Sequence, residues 1–99
     1  CMGESVPSFI DCTIKNNTAS QEGAGIYIQD TSEPVFTNCT ISYNNCTTAA
    51  GGIVTSENAG GIFQDCKIIN NTAANNGGGI KANGNSKTQF FNCSIKGNT

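Results

Sequence analysis

The pattern Phe-x-x-Cys-x-Ile occurs at residues 9–14, 36–41, 63–68 and 90–95, in unbroken steps of 27 residues. Nothing else in the chain restricts its fold as strongly. Other columns keep the same step: Asn17, Asn44, Asn71 and Asn98; Gly25-Ile26, Gly52-Ile53 and Gly79-Ile80; and Pro7 and Pro34, continued by Gly61 and Thr88. A fixed period without insertions means one small unit copied along the chain, each copy burying its apolar side on the next.

The unit is not helical. The chain has no Leu, Arg, His or Trp, whereas Ile alone supplies 11 of its 99 residues. Apolar residues alternate, with Ile10, Cys12 and Ile14 sharing one parity, as do Ile26 and Ile28. Alternation is the strand period. We therefore expect two or three short strands per unit, joined by bends rich in Gly and Asn. Stacked about 4.8 Å apart, equivalent strands pair from copy to copy. The expected fold is all-β: a single-stranded parallel β-helix solenoid, one domain over residues 1–99. Its 27-residue coils start near Phe9, Phe36, Phe63 and Phe90, about 3.7 coils in all.

Stacking gives each column a role. Ile14, Ile41, Ile68 and Ile95 are expected as one inward ladder, and Ile26, Ile53 and Ile80 as another. Phe9, Phe36, Phe63 and Phe90 are expected to stack their rings at a bend. The column Asn17, Asn44, Asn71 and Asn98 should hydrogen-bond along the axis, as amide ladders do in cross-β stacks. Runs such as Gly23-Ala24-Gly25, Gly51-Gly52 and Gly77-Gly78-Gly79 supply positive φ or close approach at a corner. They recur once per coil without a strand-loop-helix context, so they are not phosphate loops.

Two stretches then resemble a known type. Phe36-Thr37-Asn38-Cys39-Thr40-Ile41-Ser42-Tyr43-Asn44-Asn45, followed by Gly51-Gly52-Ile53, is similar to the repeats of polymorphic-membrane-protein and adhesin-like right-handed β-helices. So is Asn70-Asn71-Thr72-Ala73, followed by Gly77-Gly78-Gly79-Ile80. Those families carry Gly-Gly-Ala-Ile-like and Phe-x-x-Asn-like signatures. The chain departs from the second, with Phe-x-Asn-Cys or Phe-x-Asp-Cys in its place. The resemblance covers the whole chain and implies a right-handed coil in an extracellular or cell-surface array. Fold likeness alone does not establish function.

Cys12, Cys39, Cys66 and Cys93 run in phase with the inward Ile residues. Two readings stay open for them: buried thiols acting as small hydrophobes, or disulfides between neighbouring coils, whose spacing falls in the allowed Cα range. Cys46 lies in the column of Ala19 and Ala73, and Cys1 in that of Ile28, Thr55 and Ala82, too far apart to pair with each other. One thiol per coil along a line makes no tetrahedral cage, so no metal site is expected. Asn-x-Ser/Thr occurs at Asn16, Asn38, Asn45, Asn70 and Asn92. Asn38 and Asn92 directly precede inward cysteines and should point outward, as should Asn16 and Asn70 before the asparagine ladder. In a source that N-glycosylates, sugars are expected on some of these four or on Asn45, along the outer wall.

Charge narrows the function further. Five Lys against seven Asp and Glu give −2 with no basic cluster, so no nucleic-acid partner is expected. No apolar run reaches the ~18 residues of a membrane helix. Asp11 and Asp65 share a column two coils, about 9–10 Å, apart. That separation would suit an inverting glycosidase pair, but no cation or aromatic platform lies beside them in the pattern. They are expected to be solvated, as are Asp30, Glu33 and Glu57, in place of a Ca²⁺ site. The column Thr13, Thr40, Lys67 and Ser94 is broken by Lys67, which speaks against an ice-binding face. The chain opens on Cys1 with no capping segment in view. It is expected to be a piece of a longer stack or a protomer that self-associates end to end. The functional expectation is a non-catalytic extracellular structural module of a surface array, stalk or filament, without cofactor. The alternative is a carbohydrate-binding or carbohydrate-active β-helix.

Overall fold

A computed structural model describes residues 1, 3–21, 23–48, 50–75 and 77–99. The chain coils through four parallel sheets, one along each wall. The first wall comprises β1 (Ser8–Ile10), β5 (Val35–Thr37), β9 (Gly60–Gln64) and β13 (Lys87–Phe91). The second comprises β2 (Thr13–Lys15), β6 (Thr40–Ser42), β10 (Lys67–Ile69) and β14 (Ser94–Lys96). The third holds β3 (Thr18–Ala19), β7 (Asn45–Cys46) and β11 (Thr72–Ala73), and the fourth β4 (Ile26–Ile28), β8 (Ile53–Thr55) and β12 (Ile80–Ala82). Every pairing joins residues 27 apart, as in Phe9↔Phe36, Ile14↔Ile41 and Ile26↔Ile53. No helix occurs among the described residues.

The coil contains four short strands, not two or three, because single residues in the left-handed region cut it more often than alternation suggests. Asp11, Asn38, Asp65 and Asn92 take φ of 51–54° between the first and second walls. Asn16, Tyr43, Asn70 and Gly97 do the same between the second and third, at 54–68°. Gly3, Asp30, Glu57 and Gly84 repeat the device after the fourth wall, at 59–69°. An L-residue there costs about 1–2 kcal/mol, least for Asn and Asp, whose side chains bond locally. That preference explains much of the Asn and Asp in these columns.

The same bends correct two expectations. Ile10 is 63% exposed and does not share the inward face of Cys12 and Ile14. The left-handed residue Asp11 resets which side faces in, so Phe9 and Cys12 both turn toward the core. Strand parity does not carry across such a corner. The phenylalanines lie within strands of the first wall, not at a bend. Their rings stack inside, with centroids 4.7, 4.6 and 5.0 Å apart and planes within 16°.

The core consists of these ladders: Phe36, Phe63, Cys39, Cys66, Ile41, Ile68, Ile28 and Ile53 are all buried. At the outermost rungs, Phe9, Cys12, Ile14, Phe90 and Cys93 are partly buried against it, and Ile95 is exposed. The Gly25, Gly52 and Gly79 column serves close approach, not positive φ. A Cβ on Gly52 would lie 2.3 Å from the Gly79 carbonyl oxygen of the next coil, and one on Gly25 would lie 2.6 Å from that of Gly52. Gly52→Ala must push two coils apart. It is expected to cost about 1–3 kcal/mol, measured as a lower urea midpoint at unchanged slope.

Candidate functional site

Two linear arrays run along the axis inside the coil, and further asparagines stand on its outer corners. The first begins at the corner after the second wall, where the left-handed residue turns the following Asn inward. Asn17 Nδ2 donates to Asn44 Oδ1, Asn44 Nδ2 to Asn71 Oδ1, and Asn71 Nδ2 to Asn98 Oδ1, each at 3.0 Å. The same acceptors receive the backbone N–H of Asn17, Asn44 and Asn71. Asn44, Asn71 and Asn98 also reach into the coil on their other side, as Asn71 Nδ2 does to the Ile41 carbonyl (3.0 Å) and Asn44 Nδ2 to that of Ile14 (3.2 Å). Only a carboxamide offers this acceptor and both donors. Asn44 and Asn71 are fully buried with these bonds made.

The second array is the thiol column. All six cysteines are free thiols in this structure. Cys39 Sγ donates to the carbonyls of Thr37 and Phe9 (both 3.4 Å), and Cys66 Sγ to those of Gln64 (3.3 Å) and Phe36 (3.5 Å). Cys93 repeats the pattern with Phe91 and Phe63, and Cys12 bonds Ile10. Burial pushes the Cys66 thiol up from its ordinary value, and the neighbouring Cys39 and Cys93 add to the rise. Cys46 is also buried and donates to the Gln21 carbonyl at 2.9 Å, whereas Cys1 packs against the core.

On the outside, Asn16, Asn38, Asn45, Asn70 and Asn92 are all exposed. Four of them are the left-handed corner residues themselves, followed by one inward residue and then an outward Thr or Ser that starts a strand. The corner geometry therefore accounts for much of the sequon density. Asn38 Nδ2 donates to Asp11 Oδ1 and Asn92 Nδ2 to Asp65 Oδ1, each at 2.7 Å. Each of these aspartates thus has an amide neighbour on its column, and Asp65 lies a full coil beyond Asn38. Asp30 Oδ2 accepts from the Gly3 backbone N–H at 2.8 Å. Among the described residues, no three His, Cys, Asp or Glu side chains converge to hold a metal ion.

One feature was missed from the sequence. On the outer face of the first wall, Val6, Val35 and Ile62 border a cleft of about 420 Å³, with Glu33 and Lys87 beside Gly60. The branched apolar pair Val35 and Ile62, in one column and facing outward, was the available signal.

A family model described as a right handed beta helix region matches residues 3–99. The chain belongs to that family. No curated protein and no solved structure matches it. For this right-handed β-helix, the axial ladders are its own 27-residue repeat expressed in particular side chains. No helix among its described residues is long and apolar enough to cross a membrane.

Proposed function

We propose that this right-handed β-helix is a non-catalytic structural module of an extracellular surface array, stalk or filament, of the polymorphic-membrane-protein or adhesin-like kind. It carries N-linked glycans on outward corner asparagines. The observation that supports this reading is the directional asparagine ladder. Every inner rung donates through backbone N–H and Nδ2 to the Oδ1 of the next. Asn98 would donate to one further rung in the same way, and Asn17 would accept from one before it. The stack is therefore extended by more of itself, from the same chain or from another copy, through strand pairing and continued ladders. Glycans at Asn16, Asn38, Asn70 and Asn92 would stand off the walls and leave that axis clear.

The test is native mass and particle shape of the purified protein, before and after enzymatic deglycosylation. Elongated particles whose long axis continues the coil, with a mass loss on deglycosylation, are the expected result. A compact monomer that binds or cleaves a defined polysaccharide, and loses that activity in an Asp11→Asn/Asp65→Asn variant, would replace this reading with the carbohydrate-active one.

A further inference from the structure

We propose that neighbouring cysteines of the ladder Cys12, Cys39, Cys66 and Cys93 form linear, two-coordinate sites for a thiophilic divalent cation, one ion between each two successive coils so paired. The positions of the sulfurs carry this proposal, independently of the assembly reading. Each Sγ of Cys39, Cys66 and Cys93 sits against the same two carbonyls, one two residues earlier and one thirty residues earlier, at 3.1–3.5 Å. Sulfurs that keep the same position in every coil must repeat at the coil rise. The stacked rings three residues earlier in the same coils measure that rise as 4.6–5.0 Å.

That spacing suits a bridging ion and does not suit a direct bond. A thiolate–metal distance of about 2.3 Å, taken twice in a straight line, spans about 4.6 Å. A disulfide requires Cβ atoms roughly 3.5–4.5 Å apart, whereas an in-register column holds them at the coil rise. Closing S–S bonds would pinch coils that the phenylalanine stack keeps apart. The sequence argument against a tetrahedral cage still stands, but linear coordination needs no cage.

Charge selects the class of ion. Two thiolates and one divalent cation are neutral, which a dry interior accepts. A monovalent ion would leave a buried negative charge. Zinc in structural sites seeks four ligands, and Ca²⁺ and Mg²⁺ seek oxygen. The fitting ligand is thus a soft divalent ion that favours two collinear sulfurs, as the mercuric ion does. On binding, two S–H bonds break, two S–metal bonds form, and two protons leave to solvent, with no change of oxidation state. Neutrality allows each thiolate to serve one ion. The ladder therefore takes two ions, between Cys12 and Cys39 and between Cys66 and Cys93. Cys12 and Cys93 are the partly exposed rungs, so uptake begins from both ends.

The test uses a Cys1→Ser/Cys46→Ala background, which leaves only the ladder, titrated with mercuric chloride under non-denaturing conditions. The expected result is saturation at two ions per chain, with four protons released and no thiol left reactive. Saturation at four ions, one per sulfur, would overturn the proposal without any further variant. So would adjacent disulfides forming readily in air. Two variants with equal thiol counts then separate geometry from thiol number. Cys12→Ala/Cys39→Ala keeps the adjacent Cys66 and Cys93 and should bind one ion per monomer. Cys39→Ala/Cys93→Ala keeps Cys12 and Cys66, two coils apart, and should bind at least tenfold more weakly or only by joining two chains. Equal affinity in the two, each retaining the parent's circular dichroism, would also overturn it.

Discussion

Asn71→Ala should destabilise the protein by about 4 kcal/mol, a large part of the ~5–15 kcal/mol that holds a domain of this size folded. The substitution removes one side chain but strands groups in both neighbouring coils. The Asn44 N–H and Nδ2 lose their shared acceptor, the Ile41 carbonyl loses a donor, and Asn98 Oδ1 loses the Nδ2 donor while keeping the Asn71 backbone N–H. Each buried polar group left without a partner costs roughly 1–3 kcal/mol, with some recovered where water enters. Asn17→Ala, on an exposed rung with fewer bonds, should cost about 1 kcal/mol or less. Urea unfolding of the two variants measures the difference, and equal losses would mean that the ladder does not carry this stability.

Phe63→Ala is expected to cost about 3–5 kcal/mol, the range for a fully buried phenylalanine. Its ring lies between Phe36 at 4.6 Å and Phe90 at 5.0 Å. Face-to-face stacking is not the preferred geometry of an isolated ring pair. Here the strand pairing imposes it, and the gain comes from keeping both faces out of water. Phe9→Ala, with one stacking neighbour and partial exposure, should cost less than half as much. A Phe36/Phe63 double-mutant cycle should return a coupling of about 0.5–1.5 kcal/mol, and a coupling near zero would reduce the stack to independent burial.

The columns were legible in the sequence because stacking is a matter of which residues lie 27 apart, and one repeat reveals that directly. The route of the chain within a coil was not. Ile10 and the phenylalanines were misplaced because a left-handed corner costs a single residue and leaves no periodic trace. The trace it does leave is chemical: Asp11, Asn38, Asp65 and Asn92 are small polar residues that tolerate positive φ. Those residues drew attention as sequons and carboxylates, so their conformational role was hidden behind their chemistry. Tyr43 and Glu57 hold the same conformation with side chains that give no such hint. The Val35 and Ile62 cleft was missed for a related reason, since the face of a strand cannot be assigned before its corners are known.

Because every coil offers its neighbours the same amide, ring and backbone contacts, length is a free variable for this architecture. Removing any 27 consecutive residues, from inside one strand to the matching point in the next coil, returns every later column to its place. Removing one residue does not: across the shortened coil, the ladder asparagine and cysteine of the later coil would stack on corner residues of the earlier one. Tandem duplication and loss in units of 81 nucleotides would therefore pass without harm to register, whereas smaller indels between the corners would be purged. A lineage of such chains should differ in coil number far more readily than in coil size.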